Sequence, residues 1–140
     1  MQEHDLIRTV RGIYEAFGRG DVPAILEHLS PDVEWEYGGT GTDVPWLQRR
    51  VGRDAAAGFF EALRELRMDR FSPREFLAGD RLVVVLLEVD FTVTRTGRRV
   101  VEEDEIHVWR FDTEGRVSRF RHGVDSHRHQ AAWGGPPGDN

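Results

Sequence analysis

The chain contains no cysteine. That absence removes disulfides, a thiolate nucleophile and any zinc site built on Cys ligands, and it fits a cytoplasmic location. Lysine is missing too, the 19 basic residues being arginines. Long apolar runs are also absent: the longest, residues 82–87, falls far short of the roughly 20 residues that a membrane helix needs. Residues 2–5 are polar, so no signal peptide is expected. There is no glycine-rich phosphate loop and no nucleophile elbow. With 25 acidic residues against 19 basic and a net charge of −6, the chain lacks the concentrated positive face that nucleic acid requires. Arginines cluster locally (Arg49, Arg50 and Arg53; Arg116, Arg119 and Arg121), but acids interleave with them and the clusters read as solvated surface.

What is present suffices for one core. At 140 residues and 39% hydrophobic content the chain has the size of a single domain, expected over residues 1–133, with the Gly- and Pro-rich residues 134–140 as a disordered tail. Leu6, Ile7, Val10, Ile13, Tyr14 and Phe17 recur at helical spacing before Gly18 and Gly20, which predicts an amphipathic first helix. Asp21 is a good N-cap ahead of Pro23, so residues 24–29 read as a short second helix stopped by Ser30 and Pro31. Val33, Trp35 and Tyr37 alternate with Glu34 and Glu36, the period of a strand buried on one face. Residues 38–53 read as a long loop. Asp54 then caps a third helix with the stripe Ala57, Phe60, Leu63 and Leu66. Four strands follow near residues 68–78, 81–95, 99–111 and 116–124, with turns at Gly79-Asp80, Thr96-Gly97 and residues 113–115. Asp125 reads as the cap of a short terminal helix. Helices followed by a meander, without βαβ alternation, predict an α+β fold with helices on one face of a curved antiparallel sheet.

Strand parity gathers one set of polar side chains. If Phe111 and Arg116 flank the last turn, Trp109 faces Ser118, His107 faces Phe120 and Glu105 faces His122, all on one face. A carboxylate about 5 Å from an imidazole raises its pKa and fixes its tautomer, which prepares a general acid/base. The competing reading makes both histidines half-buried strand residues satisfied by neighbours. An inward Glu105 is costly unless paired, which favours a role for it. Trp35 reads as core before it reads as a stacking wall. The face of Asp90 stays undecided. The run from His127 to His129 lacks a carboxylate at supporting spacing, so it reads as exposed tail and no metal is expected.

The order of Gly20-Asp21, Pro31-Asp32-Val33-Glu34-Trp35, Val51-Gly52-Arg53, Val108-Trp109-Arg110-Phe111 and Gly115-Arg116-Val117 resembles the nuclear transport factor 2-like superfamily, in the branch shared by SnoaL-like polyketide cyclases and ketosteroid isomerases. The resemblance covers about residues 5–130. It implies a cystatin-like cone, a curved antiparallel sheet wrapped around three N-terminal helices, and often a homodimer. By the same resemblance His107 takes the place of the isomerase oxyanion-hole acid and His122 that of the cyclase acid/base aspartate. Tyr37 stands where the isomerase has its general base and Ile13 where it has its tyrosine, with Tyr14 turned about 100° away on the helix. The expected function is a cofactor-independent acid/base enzyme for a small hydrophobic, oxygenated substrate. His122, Glu105, His107 and Tyr37 form the catalytic set, and Trp35, Trp109, Phe120 and Phe60 bind substrate. Neither nucleic acid nor membrane is an expected partner. The alternative is a ligand-binding or dimerisation module of the same fold; a protein scaffold would need a broad exposed apolar patch, which the sequence does not reveal.

Overall fold

The computed structural model describes residues 2–39 and 42–134. Helix α1 (Glu3–Gly18) buries Leu6, Val10, Ile13 and Ala16 along one stripe. Helix α2 (Val22–Leu26) begins where expected, the Asp21 side chain accepting from the Ala24 amide with Pro23 in the first turn. It stops earlier than its apolar pattern predicts, and Leu29 already belongs to strand β1 (Leu29–Glu36). Pro31 therefore lies inside a strand rather than ending a helix. It is tolerated there because it falls between Leu29 and Glu34, where the pairing of β1 with the last strand shifts register.

The segment after β1 is a loop except for the two-residue strand β2 (Arg50–Val51). Helix α3 (Arg53–Ala62) is capped by Gly52 at φ 96°, a left-handed conformation that favours glycine, and not by Asp54. Its deepest residues are Ala56 and Phe59, one position ahead of the expected stripe, because Phe59 packs on Trp35 of β1 with ring centroids 5.4 Å apart. Phe60 remains on the adjoining face and Leu66 has passed into strand β3 (Leu66–Gly79).

Strands β3, β4 (Leu82–Val93), β5 (Arg98–Phe111) and β6 (Val117–Gly123) form the expected antiparallel meander. The sheet order is β2-β1-β6-β5-β4-β3, so the meander returns to β1 and pairs with it in parallel, an arrangement that reading neighbouring strands in sequence does not reveal. The sheet is thus antiparallel apart from that one seam. Bulges interrupt β3, β5 and β6 and help the long strands curve around α1, α2 and α3. On β4 the alternation of Val83, Val85, Leu87, Val89 and Phe91 inward puts Asp90 outside, where it pairs with Arg99.

A fourth helix, α4 (Ser126–Trp133), lies against β5; its cap is Asp125, which accepts from the Arg128 amide at 3.2 Å. The expected tail falls, from residue 135 onward, outside the described residues. No helix among the described residues is long and apolar enough to cross a membrane. Replacing Asp125 by Ala removes the cap of a helix with little amphipathic drive of its own. The expected loss is about 1 kcal/mol in urea unfolding, with faster amide exchange confined first to α4.

Candidate active site

The interior of the cone is aromatic with one polar end. On β5, Glu105, His107 and Trp109 alternate inward, and on β6 Phe120 and His122 do the same, all of them buried. The shared face agrees with strand parity, but the register does not. Trp109 pairs with Phe120 and His107 with His122, because Ser118 is an extra residue on β6 that shifts the pairing after Phe111↔Val117. Glu105 consequently falls beyond the paired end of β6, with Leu87 opposite it on β4, and makes no hydrogen bond to His122 among the described residues.

Its partner is two residues away on its own strand. The carboxylate Oε2 of Glu105 lies 2.6 Å from His107 Nε2, and the other ring nitrogen, Nδ1, lies 2.7 Å from the Tyr14 hydroxyl. Trp109 Nε1 donates to that same hydroxyl at 3.0 Å. An indole N–H can only donate, so Tyr14 accepts from Trp109 and turns its own proton to His107 Nδ1. Nε2 then carries the imidazole proton and gives it to Glu105. The tautomer follows from this network.

Each member is set by burial. Desolvation pushes the Glu105 carboxyl upward, but the hydrogen bond from His107 and the field of the surrounding histidines leave its pKa below the ordinary value. Burial raises the Tyr14 pKa well above that of a free phenol, opposed by the Trp109 N–H and assisted by the Glu105 charge, so Tyr14 stays protonated at neutral pH. His122 makes no hydrogen bond among the described residues and stacks on Phe120 at 5.5 Å. Burial lowers its pKa to about 3, so it is a neutral imidazole and a poor base.

These side chains border a cavity of about 70 Å³, room for a few water molecules. Trp35, Trp109, Phe120 and Phe60 line it, as do Glu105, His107 and His122. Tyr37 does not; it follows β1, buried, with a hydroxyl that has no hydrogen-bond partner among the described residues. Tyr14, by contrast, lines the cavity. It was legible in the apolar stripe of α1, where Ile13 and Tyr14 both turn inward, and only the isomerase comparison argued against it. His129, expected in an exposed tail, is 2% exposed at the cavity wall, and Glu102 is buried behind it.

Burying His122 as a neutral ring couples stability to pH. Its folded pKa of about 3 lies below the unfolded value of about 6.5, so the unfolded chain binds the extra proton between those limits. The stabilisation is complete above pH 6.5 and is lost as pH falls, by up to about 1.4 kcal/mol per unit. Unfolding midpoints are expected to drop from pH 7 to pH 4.5, and His122→Phe should flatten that slope; an equal slope in the variant would remove the assignment.

Comparison with known proteins agrees with this architecture. No curated protein matches the chain. The SnoaL-like domain family matches residues 10–120. An NTF2-like protein of unknown function from Burkholderia pseudomallei is 29% identical, with a TM-score of 0.82 over 96% of this chain and 99% of that one. TerC, solved in co-crystals with polyporic acid, is 25% identical, with a TM-score of 0.78 over 91% of this chain and 97% of that one. A candidate polyketide cyclase from Xanthomonas campestris, at 21% identity and a TM-score of 0.73 over 94% and 98% of the two chains, shares the fold. With a cone of the NTF2-like kind and a family match over most of its length, the chain belongs to the SnoaL-like domain family.

Proposed function

We propose that this protein is an acid/base enzyme that moves a proton on a small hydrophobic, oxygenated substrate with its own side chains. The observation that carries this reading is the chain Trp109–Tyr14–His107–Glu105 at the polar end of a mostly apolar cavity. A buried carboxylate costs several kcal/mol unless it is matched by donors, and here it is matched by an imidazole whose far side holds a phenol. Tyr14 takes a proton from an activated C–H or O–H of the substrate as its own proton passes to His107 Nδ1. The imidazolium so formed is held by Glu105 at Nε2, and Trp109 N–H steadies the phenolic oxygen throughout. The reverse sequence returns the proton. His107, not His122, is thus the imidazole that Glu105 supports. His122 serves as a neutral hydrogen-bonding wall, and the Trp35 Nε1–H, which has no partner among the described residues, is a further donor for a substrate oxygen.

Proton transfer of this kind suits cyclase, isomerase, dehydratase or epoxide-opening chemistry. The polyporic acid complex of TerC supports an oxygenated organic ligand for such a cone. The mostly aromatic and aliphatic lining, with Phe60, Leu63 and Met68 at its apolar side, fits a small hydrophobic ligand. Solvent deuterium uptake into a panel of small aryl ketones and phenols, followed by mass spectrometry, tests the reading. Wild-type protein is expected to catalyse uptake, and Tyr14→Phe or His107→Gln to lose on the order of 10²-fold or more. Activity that survives both substitutions would discard the relay.

The second reading, a non-catalytic module, draws on the small cavity and on the outer face of the sheet. There Leu77 (57% exposed) pairs with Val84, Val84 with Val108, and Leu86 with Ile106 (40% exposed), making an apolar strip. We assign this strip to a homodimer contact, compatible with either reading. Light scattering is expected to give twice the chain mass for wild type and a single chain mass for Ile106→Arg, with unchanged circular dichroism. A monomeric wild type would overturn the contact.

A further inference from the structure

Glu102 and Glu105 are three residues apart, a spacing that strand alternation alone sends to opposite faces. Between Leu87 and Val89 of β4 there is one residue, whereas β5 has Glu103 and Asp104 opposite it, and this bulge turns both glutamates inward. From α4, His129 reaches the same point. One ligand-capable atom from each of the three side chains lies within 4.8 Å of the other two.

The protonation of His129 is set from outside the triangle. Its Nδ1 accepts from Trp46 Nε1 at 3.0 Å, so in the neutral ring the proton sits on Nε2. That Nε2–H is buried without a hydrogen-bond partner among the described residues, and Glu102 Oε1, the closest carboxylate oxygen, is 3.8 Å away, beyond hydrogen-bond reach. Glu102 itself accepts from the Asp125 amide at 3.2 Å, which ties it to the start of α4.

Two carboxylates and one N–H donor face a common centre. The three atoms lie within 4.8 Å of one another and His129 Nε2 is 3.8 Å from Glu102 Oε1, separations that one small molecule between them bridges with hydrogen bonds. We propose that Glu102, Glu105 and His129 form a binding site for a single water molecule, which accepts from His129 Nε2–H and donates one proton to each carboxylate. A water with three polar partners has the usual complement for a buried one. A divalent cation competes for the same atoms, but it needs the Nε2 lone pair and hence a proton on Nδ1, where the Trp46 N–H already points. The water gives Glu105 a second partner beside His107 and joins it to Glu102 and α4, so that a proton reaching Glu105 has a hydrogen-bonded way outward. That role rests on the proton-transfer reading, whereas the site does not.

High-resolution crystal structures of the full chain, untreated and soaked in manganese chloride, test the site. The expected result is one oxygen within hydrogen-bond distance of all three atoms, with no anomalous signal there after the soak. The oxygen should persist in His129→Gln, which keeps a donor, and vanish in Glu102→Leu. Manganese bound between the carboxylates, or a direct imidazole–carboxylate contact with no oxygen between them, overturns the proposal. If the oxygen is present while wild-type protein exchanges no deuterium, the water site stands and the proton-transfer reading fails.

Discussion

A carboxylate inside an aromatic cone has to be answered by hydrogen-bond donors, and the arrangement around Glu105 follows from that demand. Desolvation alone would raise its pKa. His107 prevents this at 2.6 Å, which fixes the imidazole tautomer, which in turn decides that the Tyr14 proton points to Nδ1 and that Trp109 is the donor to Tyr14. Four side chains from one helix and one strand are thereby locked in a single order. Since two of them are also core aromatics, the packing of α1 against the sheet and the electrostatics of the site are one constraint.

The backbone devices that make this possible are small. One extra residue in β5 brings a second glutamate to the inner face, and one in β6 sets His107 opposite His122. Helix α4 and the loop before β2 close the polar end: Trp46 packs edge-on against Phe91 and Trp133, and Gln130 Oε1 accepts from the Thr42 hydroxyl and the Asp43 amide. The apolar part of the cavity, bounded by α1, α3 and β3, carries Phe17, Phe60, Leu63 and Met68. A ligand therefore meets a graded environment, hydrocarbon at one side and hydrogen-bonding groups at the other.

Much of the fold was open to reading from local pattern. The stripe of α1, the Asp21 and Asp125 caps and the four meander strands rest on interactions within a few residues, and they stand within two or three positions of where periodicity puts them. The end of α2 and the stripe of α3 moved because a tertiary contact outweighed a weak local preference: the pairing of Leu29 with Val117 in one case, the packing of Phe59 on Trp35 in the other. The parallel seam between β1 and β6 has no local signal at all.

For the site, the sequence by itself determined the parity that sends Glu105, His107 and Trp109 inward together, and the fold family in which such a face lines a cone. It determined neither partners nor register. A one-residue bulge leaves no mark in a charged run such as residues 102–105, yet it decides that Glu102 is inside, while the extra residue Ser118 on β6 sets His107, and not Glu105, opposite His122. Tyr14 and His129 come from elements distant in the chain, and only the closing of helices over the sheet brings them within hydrogen-bond distance of what they orient. Alternation is a property of one strand, whereas a hydrogen bond between elements depends on where both have been placed.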